Sequence, residues 1–114
     1  MSQQLKLKKK GSKSLTKEII LKKIKENKEK IKEFGVEELF LFGSYLEGRQ
    51  KKSSDIDFLV KFETGRGNNM KDFFGLYHFL EDLFEKKIDL GDKHLIREEL
   101  KPYINENNAL RCEI

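Results

Sequence analysis

A chain of 114 residues, 37% hydrophobic and 39% charged, has room for one domain with a single modest core and an unusually ionic surface. Its formal net charge of +4 is unevenly held: residues 1–14 carry five lysines and no acid, which leaves the remainder at −1. No apolar run nears the roughly 18 residues of a membrane span, the Leu5-Lys6-Leu7 segment lacks the apolar centre of a signal peptide, and Cys112 is the one cysteine. Membrane insertion, secretion, an internal disulfide and a cysteine zinc site are therefore not expected, and a reducing cytoplasm is the expected location.

Residues 1–14 read as a basic, flexible tail and residues 15–114 as one domain. The lysines of the tail could displace counterions from nucleic-acid phosphates, but a solvated terminus is the preferred reading of so short a charge run. After Gly11-Ser12-Lys13-Ser14, either Ser14 or Thr16, with Glu18, is placed to cap a helix. Leu15, Ile19, Ile20, Ile24, Ile31 and Phe34 then recur at helical steps among lysines and glutamates, which predicts one amphipathic helix ended by Gly35.

The first strand is expected over 36–42, where Leu39-Phe40-Leu41-Phe42 is an apolar run of the kind buried on both faces. Gly43-Ser44 turns the chain, 45–48 forms a short helical turn, and 49–54 is a polar loop. A second strand runs over 56–62. The loop over 64–70 contains Arg66, read as an exposed arginine within reach of a substrate phosphate. Phe73, Phe74, Leu76, Tyr77, Phe79, Leu80, Leu83 and Phe84 define a second helix with a broad apolar face, and His78 reads as a surface residue of it.

Lys86 to Leu90 reads as a third strand in which Asp89 stands between apolar neighbours, a position where a carboxylate needs a reason. Gly91-Asp92 is expected to break that strand, and Asp92 to cap a helix through Leu95, Ile96 and Leu100 with His94 at its surface. Pro102 suits the first turn of a short helix over 103–107, and 109–114 is either a weak terminal strand pairing on the sheet edge or a tail. The fold class is α/β (α+β): a small mixed sheet flanked by helices.

The chemistry gathers around Gly43-Ser44 and Ser54-Asp55-Ile56-Asp57. Asp55 and Asp57 stand two apart, so in a strand they point to one face, where two carboxylates repel unless a cation lies between them. A lone Asp-x-Asp is common. Its bland readings are a turn cap for Asp55, an exposed strand position for Asp57 and a strand edge for Asp89. The conjunction is more specific: a Gly-Ser turn after a strand, Gly48, two aspartates opening the next strand, and a third aspartate after one helix.

The pattern Gly43-Ser44-x-x-x-Gly48, Ser54-Asp55-Ile56-Asp57-Phe58-Leu59-Val60 and Ile88-Asp89-Leu90 resembles the minimal nucleotidyltransferases of the DNA polymerase β-like superfamily. More narrowly, it resembles the antitoxins of prokaryotic modules whose other member is a HEPN toxin. The resemblance covers about Leu15 to Arg111. It implies a polymerase β-like nucleotidyltransferase fold, with ATP as nucleotide donor and two Mg²⁺ ions held by Asp55, Asp57 and Asp89, Asp89 also helping to deprotonate the acceptor hydroxyl. It further implies contact of Gly43 and Ser44 with the triphosphate. Where many members carry an arginine soon after Gly-Ser, this chain has Tyr45-Leu46-Glu47, and its basic group arrives at Arg49, followed by Lys51 and Lys52.

Known members transfer nucleotides to nucleic acids, to antibiotics or to proteins, and 114 residues leave no space for a template-holding domain. The antitoxin branch implies transfer of AMP to a tyrosine of the HEPN ribonuclease toxin. No Arg-x-x-x-x-His of the HEPN kind occurs here, so the chain reads as modifier and not as toxin. Two alternatives remain open: a small-molecule (aminoglycoside-like) nucleotidyltransferase, and a non-catalytic, degenerate nucleotidyltransferase that restrains its partner by binding alone.

Overall fold

The computed structural model describes residues 15–66, 70–92 and 109–114. The lysine tail, the centre of the loop over 64–70, the expected helices through Leu95 to Leu100 and over 103–107, and His94 lie outside the described residues. Among the described residues the order is α1 (Lys17–Glu26), α2 (Lys28–Glu33), β1 (Val36–Phe42), α3 (Ser44–Glu47), β2 (Ile56–Phe62), α4 (Lys71–Phe84), β3 (Ile88–Asp92) and β4 (Ala109–Arg111). None of the described helices is long and apolar enough to cross a membrane.

Thr16 caps α1, its hydroxyl oxygen accepting from the Ile19 amide at 3.2 Å. The single helix expected from periodicity is two. Asn27 ends α1 and begins α2, with its side-chain amide donating to the Lys23 carbonyl at 2.8 Å. An asparagine competes for backbone groups in this way, which is why it interrupts helices. The apolar stripe survives the break because Ile24 and Ile31 stand two turns apart, and both are fully buried.

The four strands form one mixed sheet in the order β3-β2-β1-β4, with β1 antiparallel to β2 and β4, and β2 parallel to β3. A parallel pair needs a crossover, and α4 supplies it. One sheet face carries Leu39, Leu41, Ile56, Phe58, Val60, Phe62 and Ile88, packed with Ile20, Ile24, Ile31, Leu76, Leu80 and Phe84 of the helices. Phe58, completely buried, stacks on Phe84 with ring centroids 6.0 Å apart. Cys112 closes this core. Its amide donates to the Leu39 carbonyl at 2.7 Å, and burial pushes its thiol up to about 12, so it stays neutral and inert.

Two expectations are corrected. The run Leu39 to Phe42 is not buried on both faces: Leu39 and Leu41 point to the helices, whereas Phe40 and Phe42 are only half-buried on the opposite face. Gly91-Asp92 does not break β3, which continues through both residues in register with Leu59 and Val60; Asp92 is a strand residue. Glycine is tolerated there because the Leu59 side chain lies close over it, 3.3 Å from where a β-carbon would stand. Arg66 remains exposed but is held by both carboxylate oxygens of Asp72 (2.8 and 2.9 Å) and by the Glu33 carbonyl (3.0 Å), so it ties the loop to α2 and α4.

Candidate active site

Strand alternation decides which residues share the face turned away from the described helices. On β2 that face carries Asp57, Leu59 and Lys61; on β1 it carries Phe40 and Phe42; on β3 it carries Asp89 and Gly91. The register sets Asp57 directly beside Asp89 on one side and Phe42 on the other. The pair of carboxylates is therefore formed across two parallel strands, and Asp55, the last residue before β2, flanks it.

Asp57 and Asp89 are cross-strand partners, placed so that their carboxyls can share a hydrogen bond when one of them is protonated. Partial burial, then the charges of Asp89 and Asp55, raise the Asp57 carboxyl from 3.8 to about 6. Like charges beside a half-shielded group make ionisation of Asp57 costly. A divalent cation in place of the shared proton removes that cost, and the donor set of hard oxygens suits Mg²⁺. No group of three or more acidic, histidine or cysteine side chains converges as a ready cage among the described residues. Mg²⁺ does not require one, since it is usually held by one or two carboxylates together with substrate phosphates and water.

Gly43 stands where β1 hands over to α3, with φ 80° and ψ −155°, a region that only glycine occupies without strain. A β-carbon on it would fall 2.1 Å from Asp57 Oδ2. The missing side chain is thus what lets the Asp57 carboxylate lie against the turn. Ser44 opens the four-residue helix α3, and Gly48, left-handed at φ 75°, ends it. Arg49 follows: its amide donates to the Ser44 carbonyl at 2.9 Å, and its guanidinium is exposed and paired with the Glu47 carboxylate. Ser44 and Arg49 are consequently within one short turn of the chain, adjoining the carboxylate pair through Gly43.

The sequence reading placed Asp55 and Asp57 on one face of the second strand; in the structure Asp55 lies just before β2, and the cross-strand neighbour of Asp57 is Asp89. Lys87 was missed. Its Nζ stands 4.0 Å from Asp55 Oδ2, opposite in charge to the flank of the site. Gln50 was missed as well, and its side-chain amide donates to the Leu15 carbonyl at 3.2 Å, joining the loop after α3 to the start of α1. Neither had a signal in the sequence beyond a lysine before a strand and a polar residue in a polar loop.

Known proteins are similar to this chain in sequence and fold. The nucleotidyltransferase domain family matches residues 16–113. A candidate protein adenylyltransferase of Methanocaldococcus jannaschii is 43% identical over 81 residues, 70% of this chain and 87% of that protein. The protein adenylyltransferase MntA of Thermococcus cleftensis is 39% identical over 70 residues, 61% of this chain and 69% of that one. Among solved structures, a candidate minimal nucleotidyltransferase superposes with a TM-score of 0.64 at 26% identity, covering 79% of this chain and 93% of that one. The MNT antitoxin in complex with the tri-AMPylated HEPN toxin of Shewanella oneidensis shares the fold, with a TM-score of 0.56 at 19% identity over 82% of this chain and 71% of that one. With the family matched over nearly its whole described length and the fold shared with a minimal nucleotidyltransferase, this chain belongs to the nucleotidyltransferase domain family.

Proposed function

We propose that the chain transfers AMP from ATP to a hydroxyl of a partner protein, a tyrosine of a HEPN ribonuclease toxin, and thereby acts as its antitoxin. The observation that carries this reading is the juxtaposition of Asp57 and Asp89 on adjacent strands, with the Asp57 carboxyl raised and Asp55 beside it, next to a turn that admits only glycine. The relatives named protein adenylyltransferase support the reaction class, and the antitoxin bound to an AMPylated HEPN toxin supports the partner.

Asp57, Asp89 and Asp55 would hold Mg²⁺, which when bound supplies positive charge for the phosphate oxygens that become more negative during in-line displacement at the α-phosphorus. The remaining steps belong to residues of the chain. Asp89, on the exposed side of the pair, is placed to accept the proton of the incoming hydroxyl. Gly43 keeps the space over Asp57 clear, and Ser44 offers its hydroxyl to the outer phosphates. Arg49, released from Glu47, and the neighbouring Lys51 and Lys52 offset the charge of the departing pyrophosphate. A hydroxyl of a partner protein, in place of water, is the acceptor in this reading, which the relatives named protein adenylyltransferase support.

The test is incubation with α-labelled ATP and Mg²⁺, with and without the protein encoded in the adjacent reading frame. Label is expected on the partner tyrosine. Stable partner binding without label on it would instead establish restraint by contact, and label on an aminoglycoside hydroxyl but never on protein would move the acceptor to small molecules.

A further inference from the structure

The loop over 49–54 carries three exposed cations, Arg49, Lys51 and Lys52. A short segment of like charges repels itself and tends to extend, yet this one is folded back and braced. The Gln50 side chain donates to the Leu15 carbonyl at 3.2 Å, the Lys51 amide to Ser54 Oγ at 2.8 Å, and the Ser54 amide to the Lys51 carbonyl at 3.0 Å. A further brace comes from the other end of the domain: Lys86 Nζ donates to the Lys52 carbonyl at 2.8 Å, across 34 positions of sequence. The fold delivers Lys86 to that point. α4 ends at Glu85, whose left-handed φ of 52° turns the chain toward β3 and whose amide donates to the Glu81 carbonyl at 2.7 Å. Because β2 and β3 are parallel, the segments entering them lie side by side, and the Ile56 amide donates to the Lys87 carbonyl at 3.1 Å. One residue earlier, Lys86 is half-buried with its ammonium turned onto the loop backbone.

We propose that Lys86 is a positioning residue for nucleotide capture: by holding the Lys52 carbonyl it fixes the loop over 49–54 so that Arg49, Lys51 and Lys52 are in place before a nucleoside triphosphate arrives. This rests on the proposed function, which sets those three cations against the pyrophosphate. An ammonium on a peptide carbonyl is a charge-assisted bond, stronger than a neutral one. The bonds that brace the loop use its backbone, Gln50 and Ser54, and so leave the three cationic side chains exposed for phosphate oxygens. Cations fixed beforehand bind a triphosphate without a further ordering cost. Lys86 acts through the loop, so its effect depends on the charges the loop carries. Lys87 grips the other end of the same turn, with its carbonyl on the Ile56 amide and its Nζ 4.0 Å from Asp55 Oδ2. The two successive lysines thus tie the loop and the first aspartate to the start of β3.

The test titrates the full chain with the α,β-methylene analogue of ATP and Mg²⁺ in a calorimeter, and in parallel measures kcat and the KM for ATP in label transfer to the adjacent-frame partner. Lys86→Met is expected to raise both the Kd for the analogue and the KM for ATP by about fivefold to tenfold, the size of one net hydrogen bond, and to leave kcat unchanged. Lys86→Arg keeps a cationic donor and is expected to recover most of that loss. In a chain already carrying Lys51→Gln and Lys52→Gln, Lys86→Met is expected to add about twofold or less, since little charge is left for it to position. An unchanged Kd in Lys86→Met, a loss in kcat in place of KM, no recovery by arginine, or full additivity with the two loop lysines would overturn the proposal. The two readings fail separately. Weakened analogue binding in Lys86→Met, with no label transferred by the parent chain, upholds the role of Lys86 and removes protein adenylylation; label transfer by the parent chain with an unchanged KM in Lys86→Met does the reverse.

Discussion

Asp57 concentrates the conflict between folding and chemistry. Its carboxyl titrates near 3.8 when unfolded and about 6 when folded, so between those values the folded chain keeps a proton that the unfolded chain has lost. Stability is therefore fullest below pH 3.8, declines as pH rises through the window, and carries the whole penalty above pH 6. At 1.36 kcal/mol per unit, reduced for the solvent that still reaches this half-buried group, the penalty is about 1 kcal/mol. Asp57→Asn keeps a hydrogen bond to Asp89 and removes the charge. It is expected to be about 1 kcal/mol more stable than the parent at pH 7.5 and equal to it near pH 4, by urea unfolding, while transfer falls by at least about a thousandfold. Gly43→Ala acts in the opposite sense on stability. Its methyl group meets the Asp57 carboxylate in a backbone region closed to alanine, so a loss of about 2 to 3 kcal/mol is expected in the same measurement.

At the scale of elements, much was legible because the periodicities are clean. The second strand falls at 56–62 as expected, the short turn after Gly43-Ser44 is helical, and the terminal strand pairs at the sheet edge with β1. The three aspartates could be named as candidates because carboxylates are among the few side chains that suit Mg²⁺, but which two are strand neighbours could not. That depends on the β2–β3 register, which pairs residues 32 positions apart and leaves no local trace. The exposure of Phe40 and Phe42 was hidden for a related reason: four apolar residues in a row do not reveal that one face of the sheet serves the site. Asn27 and Gly91 misled in opposite directions, the first breaking a helix whose stripe ran on, the second continuing a strand that a glycine was expected to end. Gly75 supplies a test at this scale. In an isolated helix alanine would be favoured there by about 1 kcal/mol, yet a β-carbon would stand 2.8 Å from the Phe34 ring, which packs at a tilt against Phe79. Gly75→Ala is expected to destabilise the fold by about 1 to 2 kcal/mol, seen as a lower thermal midpoint; a higher midpoint would mean that Phe34 yields freely.

For the whole molecule, the sheet divides labour between its faces. One is sealed by α1, α2 and α4 over a core of Ile, Leu, Val and Phe. The other carries the row Phe42, Asp57 and Asp89, with Asp89 exposed and Asp57 half-buried. Under the proposed function this row is where an acceptor from outside the domain would meet the nucleotide, a reading supported by relatives named for modifying proteins. The most direct test of that account compares label transfer from ATP to the adjacent-frame partner by the parent chain, Asp57→Asn and Asp89→Asn, with partner binding measured in parallel. The account predicts labelled tyrosine with the parent chain, none with either variant, and undiminished binding by all three. Equal labelling by the parent chain and both variants would contradict it.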